Sequence, residues 1–249
     1  MLPGRSGMDD KLALVVPTLN EAKNIGTVLR RVRDNLDSLR LDYELLVVDD
    51  DSADGTTQVV ERLSAEDGRI RLLSRKGTKG LAGAVIFGWA HSDANLLGVI
   101  DADLQHPPEL LPALLHAVGE GKDIAIASRY VNGEPESTSG WNPLRRLISM
   151  MSTWITMPLQ RREIRVRDPL SGFFVFRRQC IEGLELQRQG FKLLLEILVR
   201  GNIRSVAEVP YQFGLRHAGD SKAGLRVGLD YLHLLGRLSR HAFSKTGQA

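Results

Sequence analysis

Two rhythms of apolar positions alternate along the first half of the chain. Short apolar runs occur at Leu12 to Val16, Tyr43 to Val48, Ile70 to Leu73, Leu96 to Ile100 and Ile124 to Ala127. Each is four to six residues long and stops at a Pro, Asp, Ser or similar residue, so each is expected to be a buried strand. Between them the apolar positions spread to helical spacing. Ile25, Val28, Leu29, Val32 and Leu36 form one stripe, with Asn24 as its expected N-cap. Thr56 to Leu63 and Gly80 to His91 are expected helices. Pro107 and Pro108 suit a first helical turn, continued by Leu110, Leu114 and Val118 to Gly119.

Strand–helix alternation predicts an α/β fold with a mostly parallel sheet covered on both faces. Ligands of such sheets sit beyond the C-terminal strand ends. The polar residues gather there: Asn20 and Glu21, Asp49 to Asp54, Asp101 and Asp103, and Arg129. The second half has a different pattern. Residues 132–140 form a polar, Gly/Pro/Ser-containing loop, expected to be mobile. Leu147, Ile148, Met151, Trp154 and Ile155 recur at helical spacing, and Arg161, Arg162, Arg165 and Arg167 then crowd around Glu163. The segment Asp168 to Phe174 leads into an expected strand, Phe191 to Arg200 reads as a helix and Val206 to Phe213 as extended chain. There is no internal repeat. The expected organisation is a tail over 1–11, one domain over 12–222 and an amphipathic C-terminal segment over 223–249.

Composition narrows the class. The 249 residues are 43% hydrophobic and 25% charged, as in an ordinary globular protein. One cysteine, Cys180, rules out an intrachain disulfide and a cysteine zinc site. Residues 1–11 lack the apolar core of a secretory signal. No apolar run approaches the roughly 18–20 residues that span a bilayer, so the chain is expected to lie on a membrane rather than cross it. The net charge of +3 conceals a division. Residues 1–140 hold 15 basic and 22 acidic side chains, and residues 141–249 hold 18 and 8.

Two acidic clusters carry the candidate chemistry. Asp101-Ala-Asp103 sets two carboxylates at a strand end, where hard oxygen ligands suit Mg²⁺ or Mn²⁺ and Gln105 could add a neutral oxygen. The competing reading is a turn before the helix at Pro107. Three adjacent carboxylates, Asp49 to Asp51, require water, cations or donors. They could accept bonds from a ribose or base, or form a solvated loop capping the next helix. Both readings are open at this point.

Seven segments in order carry a resemblance: Val16 to Glu21, Val48 to Thr56, Asp101 to Glu109, Ala127 to Tyr130, Trp141 to Arg145, Asp168 to Phe174 and Arg216 to Lys222. The series resembles the dolichol-phosphate mannosyltransferases within the family 2 glycosyltransferases, over about residues 12 to 222. The resemblance implies a GT-A nucleotide-sugar fold and transfer of a hexose to a polyprenyl phosphate, with mannose from GDP-mannose as the favoured reading. A UDP-sugar donor or a non-catalytic nucleotide-sugar-binding protein are the alternatives. Carried over, Pro17, Glu21, Val48, Asp49 and Asp50 would hold the nucleoside, and Asp101, Asp103 and Gln105 the Mg²⁺ or Mn²⁺. Arg129, Arg145 and Arg216 would meet phosphates, with Ser221 and Lys222 in a closing loop. Asp103, Arg129 and Arg145 are thus the expected catalytic group. Two departures stand out: Leu19 occupies a place where the family usually has Tyr, and the loop between Arg129 and Arg145 is longer than usual. No segment matches the C-terminal transmembrane helices of some members.

A phosphate acceptor is already ionised at neutral pH, its second pKa being near about 6. It needs no general base, and none is assigned. Asp168 would serve only a hydroxyl acceptor and is otherwise structural. Arg226, Asp230, His233, Arg237 and Arg240 form a narrow polar stripe among leucines and valines. That pattern suits a membrane interface, or a helix packed on the domain or on a second copy, which would make a homo-oligomer. The expected location is the cytoplasmic face of a membrane. Gly77 to Gly80 lacks P-loop spacing, and His106 is assigned to the turn before Pro107. Nucleic-acid binding is not expected, because only 6% of residues are aromatic and none interleave with the basic ones.

Overall fold

The computed structural model describes residues 10–130, 155–188, 192–211 and 235–238, with the backbone alone for Arg162. Seven strands form one sheet in the order β3-β2-β1-β4-β6-β5-β7. They are β1 (Lys11–Thr18), β2 (Asp42–Asp49), β3 (Ile70–Ser74), β4 (Leu96–Val99), β5 (Ile124–Ser128), β6 (Phe174–Arg177) and β7 (Val206–Pro210). Pairing is parallel except at β6, which runs antiparallel to both β4 and β5.

β1 shows why its run is apolar at every position. Leu12, Leu14 and Val16 pack with helices α1 (Ile25–Asp37), α2 (Thr56–Glu66) and α4 (Leu111–Gly119) on one face. Ala13 and Val15 pack with α3 (Leu81–Ala90) and α5 (Leu193–Arg200) on the other. A strand covered on both faces cannot alternate with polar residues. Helix α3 lies especially close to the sheet: a Cβ at Gly88 would come within 2.6 Å of Val15 Cγ2 and 3.0 Å of Val48 Cγ2. Trp89 fastens the same helix by donating its indole N–H to Gly98 O, at 3.0 Å.

The chain leaves β1 toward β2 and β3 and returns on β1's other side as β4, so the winding reverses between β1 and β4. A cleft opens beyond the C-terminal ends of the strands at such a reversal. The antiparallel β6 starts at that edge, since Phe174 pairs with Val99, and β7 ends there, since Pro210 pairs with Ser128. No helix among the described residues is long and apolar enough to cross a membrane. In the turn 235–238, Leu235 and Leu238 are buried against Leu159, Leu195 and Val199. At these two residues the helix face packs on the domain. The rest of that amphipathic stretch, residues 132–140 and 147–154 lie outside the described residues.

Candidate active site

Two loops close the β1–β2 side of the cleft by bonding to each other. Asn20 N–H donates to Ser52 Oγ at 2.8 Å, Ala53 N–H to Asn20 Oδ1 at 2.9 Å and Ala22 N–H to Asp54 Oδ2 at 3.0 Å. Glu21 N–H donates to Thr56 Oγ1, whose hydroxyl donates to Asp54 Oδ1. Burial pushes the Asp54 carboxyl up, but donation from Thr56 and Ala22 outweighs it and holds the group below the usual carboxylate range. Asn24 stands at the N-cap of α1, yet its side chain does not cap it. Its Nδ2 donates instead to Glu21 Oε2, at 2.8 Å, which fixes the Glu21 side chain at the cleft.

The acidic run separates into distinct jobs. Asp49 is buried and accepts from Thr18 Oγ1, Ser52 N–H, Ser52 Oγ and Thr57 Oγ1. Asp50 is buried beside Arg75, which donates from Nε at 2.7 Å and Nη2 at 3.1 Å, and Gly80 N–H donates to it at 2.8 Å. Asp51 is exposed, with φ +64°. Pro17 and Val48 lie in register where β1 and β2 end. Val48 is fully buried, and its carbonyl accepts from Thr18 Oγ1. Asn20, Asp51 and Leu104 are the described non-glycine residues with positive φ, and all three sit in loops at this edge. Left-handed backbone at non-glycine residues costs about 1–3 kcal/mol and concentrates at functional sites.

Beyond β4 the chain turns at Leu104, where φ is +62°, and Asp103 Oδ1 accepts Gln105 N–H at 3.1 Å. Asp101 keeps about a quarter of its side chain exposed, and its Oδ2 lies 3.5 Å from His106 Nδ1. His106 is more than a turn residue. It is buried with its ring against Phe173 and Tyr211, and burial, helped by the Arg129 charge, drives its pKa down to about 3. The imidazole is therefore neutral at physiological pH. Among the described residues no three His, Cys, Asp or Glu side chains cluster as a metal site. Asp101, Asp103 and Gln105 offer two carboxylates and one amide oxygen, a hard donor set that fits Mg²⁺ or Mn²⁺ when phosphate oxygens and water complete the shell.

Arg129 follows β5 and meets Asp168 in a buried pair. Nε donates to Oδ2 and Nη2 to Oδ1, both at 2.7 Å, and the Arg129 backbone N–H adds a bond at 3.0 Å. Asp168 has no exposed side-chain surface. Burial works against the Arg129 charge, but the Asp168 bonds outweigh it and hold the guanidinium above its usual pKa. Glu208 on β7 supports the pair by accepting the N–H groups of Arg167 and Asp168. Both Asp168 oxygens are thus engaged by Arg129, the partner the structure adds to the residue before Pro169.

Lys192 and Arg75 are cations that no motif in the sequence marks. Burial, then repulsion from Arg129, lowers the Lys192 ammonium to about 8 against the attraction of Asp168 and Asp101. Its position before the apolar run of α5 was visible, but a lone lysine there has no distinguishing pattern. Cys180 is a buried thiol in the core, pushed up to about 11 chiefly by burial. Arg145, Arg216, Ser221 and Lys222 lie outside the described residues.

The sequence model for glycosyl transferase family 2 matches residues 13–184. The dolichol-phosphate mannosyltransferase of Mycosarcoma maydis is 33% identical over 97% of this chain and 84% of its own length. The chain belongs to the family 2 glycosyltransferases, in the dolichol-phosphate mannosyltransferase family. The Pyrococcus furiosus dolichol-phosphate mannosyltransferase is 40% identical over 92% of the chain, which spans 64% of that longer relative. The Saccharomyces cerevisiae dolichol-phosphate mannosyltransferase is 31% identical over 93% of this chain and 88% of its own. Among solved structures, mannosyl-3-phosphoglycerate synthase from Rubrobacter xylanophilus superposes with a TM-score of 0.65 at 21% identity, over 96% of this chain and 75% of that one. Glucosyl-3-phosphoglycerate synthase from Mycobacterium tuberculosis, in complex with Mn²⁺, UDP-glucose and phosphoglyceric acid, superposes with a TM-score of 0.64 at 20% identity, over 92% and 80%. These likenesses show the GT-A fold.

Proposed function

We propose that this glycosyltransferase moves mannose from GDP-mannose to a polyprenyl phosphate, with inversion at the anomeric carbon and with Mg²⁺ or Mn²⁺ bound. The dolichol-phosphate mannosyltransferase relatives support the donor sugar and the lipid class. The observation that carries the chemistry is the arrangement across the cleft. Asp101, after β4, and Asp168 both act electrostatically on Lys192, which also feels the Arg129 charge, while both oxygens of Asp168 are committed to Arg129. A site so built accepts a nucleophile that is already ionised.

In this reading Pro17, Glu21, Val48 and Asp50 form the nucleoside wall, with Arg75 holding Asp50 and Asp49 holding the loop below it. Asp101, Asp103 and Gln105 would hold the divalent cation, which when bound supplies positive charge against the departing diphosphate. Arg129 and Lys192, with Arg145 as a further candidate, bind the acceptor phosphate and aim it at the anomeric carbon. Positioning and fixed charge then supply the rate. Attack from the face opposite the diphosphate gives a β-linked product from an α-linked donor. Arg216, Ser221 and Lys222 are assigned to closing over the donor phosphates.

The lipid acceptor calls for a membrane surface near the site. Exposed Ile155, Arg161, Arg165 and Arg167 on one segment supply apolar and cationic groups for it. This reading gives a peripheral enzyme on the cytoplasmic face of a membrane. A donor panel of GDP-mannose, UDP-glucose and UDP-N-acetylglucosamine with polyprenyl phosphate and Mn²⁺ tests the proposal. Lipid-linked sugar from GDP-mannose alone is expected. Product from a UDP donor alone would move the assignment to that sugar, and no product from any donor would overturn it.

A further inference from the structure

The loop from Asp168 to Gly172 enters β6 where β4 ends, because the two strands are antiparallel and Phe174 pairs with Val99. This brings the backbone of a second element against the carboxylate that follows β4. A Cβ placed on Gly172 would lie 3.0 Å from Asp101 Cγ, 3.2 Å from Oδ1 and nearer still to Oδ2. The space a side chain would fill at residue 172 is thus the space the Asp101 carboxylate occupies. Gly172 does not have the positive φ that would itself demand glycine, so the constraint there is room rather than torsion. His106 bounds the same carboxylate on another side, with Nδ1 3.5 Å from Oδ2.

We propose that Gly172 is a positioning residue for the metal site: by carrying no side chain it sets the direction in which the Asp101 carboxylate faces the cation. The inference rests on the reading of Asp101 as a metal ligand. Two features say which part would move if the space were filled. The loop cannot easily retreat, since Asp168 at its start is clamped to Arg129, Ser171 N–H donates to Asp168 O and Phe173 N–H donates to Ser171 Oγ. The obstacle itself is the end of a rotatable side chain. At Gly201, by contrast, an added Cβ would meet the backbone carbonyls of Ile197 and Cys180, so the fold would have to shift. At Gly172 the carboxylate turns away and the fold stays. Groups that orient metal ligands affect affinity by about 10- to 100-fold.

The test compares Gly172→Ala, Asp101→Ala and the double variant. Mn²⁺ binding in the presence of GDP is read from loss of the free-ion paramagnetic resonance signal, and stability from the thermal midpoint. Gly172→Ala is expected to melt near the wild type and to bind Mn²⁺ about 10-fold or more weakly. Asp101→Ala is expected to lose this binding. With the carboxylate gone, adding Gly172→Ala is expected to leave stability unchanged. Wild-type Mn²⁺ affinity in Gly172→Ala, with binding lost in Asp101→Ala, would overturn the positioning role alone. Wild-type affinity in Asp101→Ala would overturn the ligand assignment beneath it. Failure of Gly172→Ala to fold would overturn the positioning role, since the fold and not the carboxylate would then have given way; a folded double variant would still place the collision at Asp101, and an unfolded one would refute that as well.

Discussion

Arg129 and Asp168 are each costly to bury alone and tolerable only together. Breaking a buried pair by removing one partner leaves an uncompensated charge, which costs about 3–5 kcal/mol. Asp168→Ala is therefore expected to lower unfolding free energy by about that amount in urea titration. A change within about 0.5 kcal/mol, as at ordinary surface sites, would mean that the pair does not hold the loop. Lys192 carries a pH prediction. With its ammonium lowered to about 8, it is charged at neutral pH and loses that charge as pH rises through this value. The apparent affinity for polyprenyl phosphate is expected to fall above pH ~8, and Lys192→Arg, which stays protonated, is expected to flatten the profile. An unchanged profile in Lys192→Arg would remove Lys192 from the acceptor site. Asp101 and Asp103 could be picked from the sequence because two carboxylates at a strand end form a local pattern. Arg75 and Lys192 could not, because a single cation gains meaning only from the carboxylates that folding brings to it from distant segments.

The two loops after β1 and β2 stand or fall together, since Asn20, Glu21 and Ala22 bond to Ser52, Ala53, Asp54 and Thr56. Asp54→Ala leaves donors from both loops unmet, a loss of about 1–3 kcal/mol, and is expected to raise KM for the donor more than it lowers kcat. A fall in kcat at unchanged KM would contradict the role of these loops as the nucleoside wall. The sign of the Asp54 pH effect follows from its lowered pKa. Its contribution to stability is full above the ordinary carboxylate value of 3.8 and disappears as pH falls through the lower folded value. The element types were readable in the sequence because burial on both faces of the sheet makes strand runs continuously apolar and helix stripes periodic. The direction of β6 was not, because an apolar run looks the same in either direction and only its partners decide. Asn24 gave the wrong capping chemistry for a similar reason: its side chain found Glu21, a partner no capping rule includes.

Across the whole chain the two halves of the sequence contribute oppositely biased charge. The acidic half supplies the loops after β1, β2 and β4, and the basic half supplies Lys192 and the exposed Arg161, Arg165 and Arg167. Contact with a membrane surface predicts binding to anionic vesicles that weakens with salt, and equal co-sedimentation with neutral vesicles would contradict it. The central claim is metal-dependent transfer to an ionised acceptor without a general base. It is tested most directly by incubating the purified chain with radiolabelled GDP-mannose and either a polyprenyl phosphate or the corresponding free polyprenol, with Mn²⁺ or with a chelator. The account predicts labelled lipid only when both Mn²⁺ and the phosphate-headed acceptor are present. Equal labelling with chelator or with the free alcohol, or no labelled lipid under any of these conditions, would contradict it.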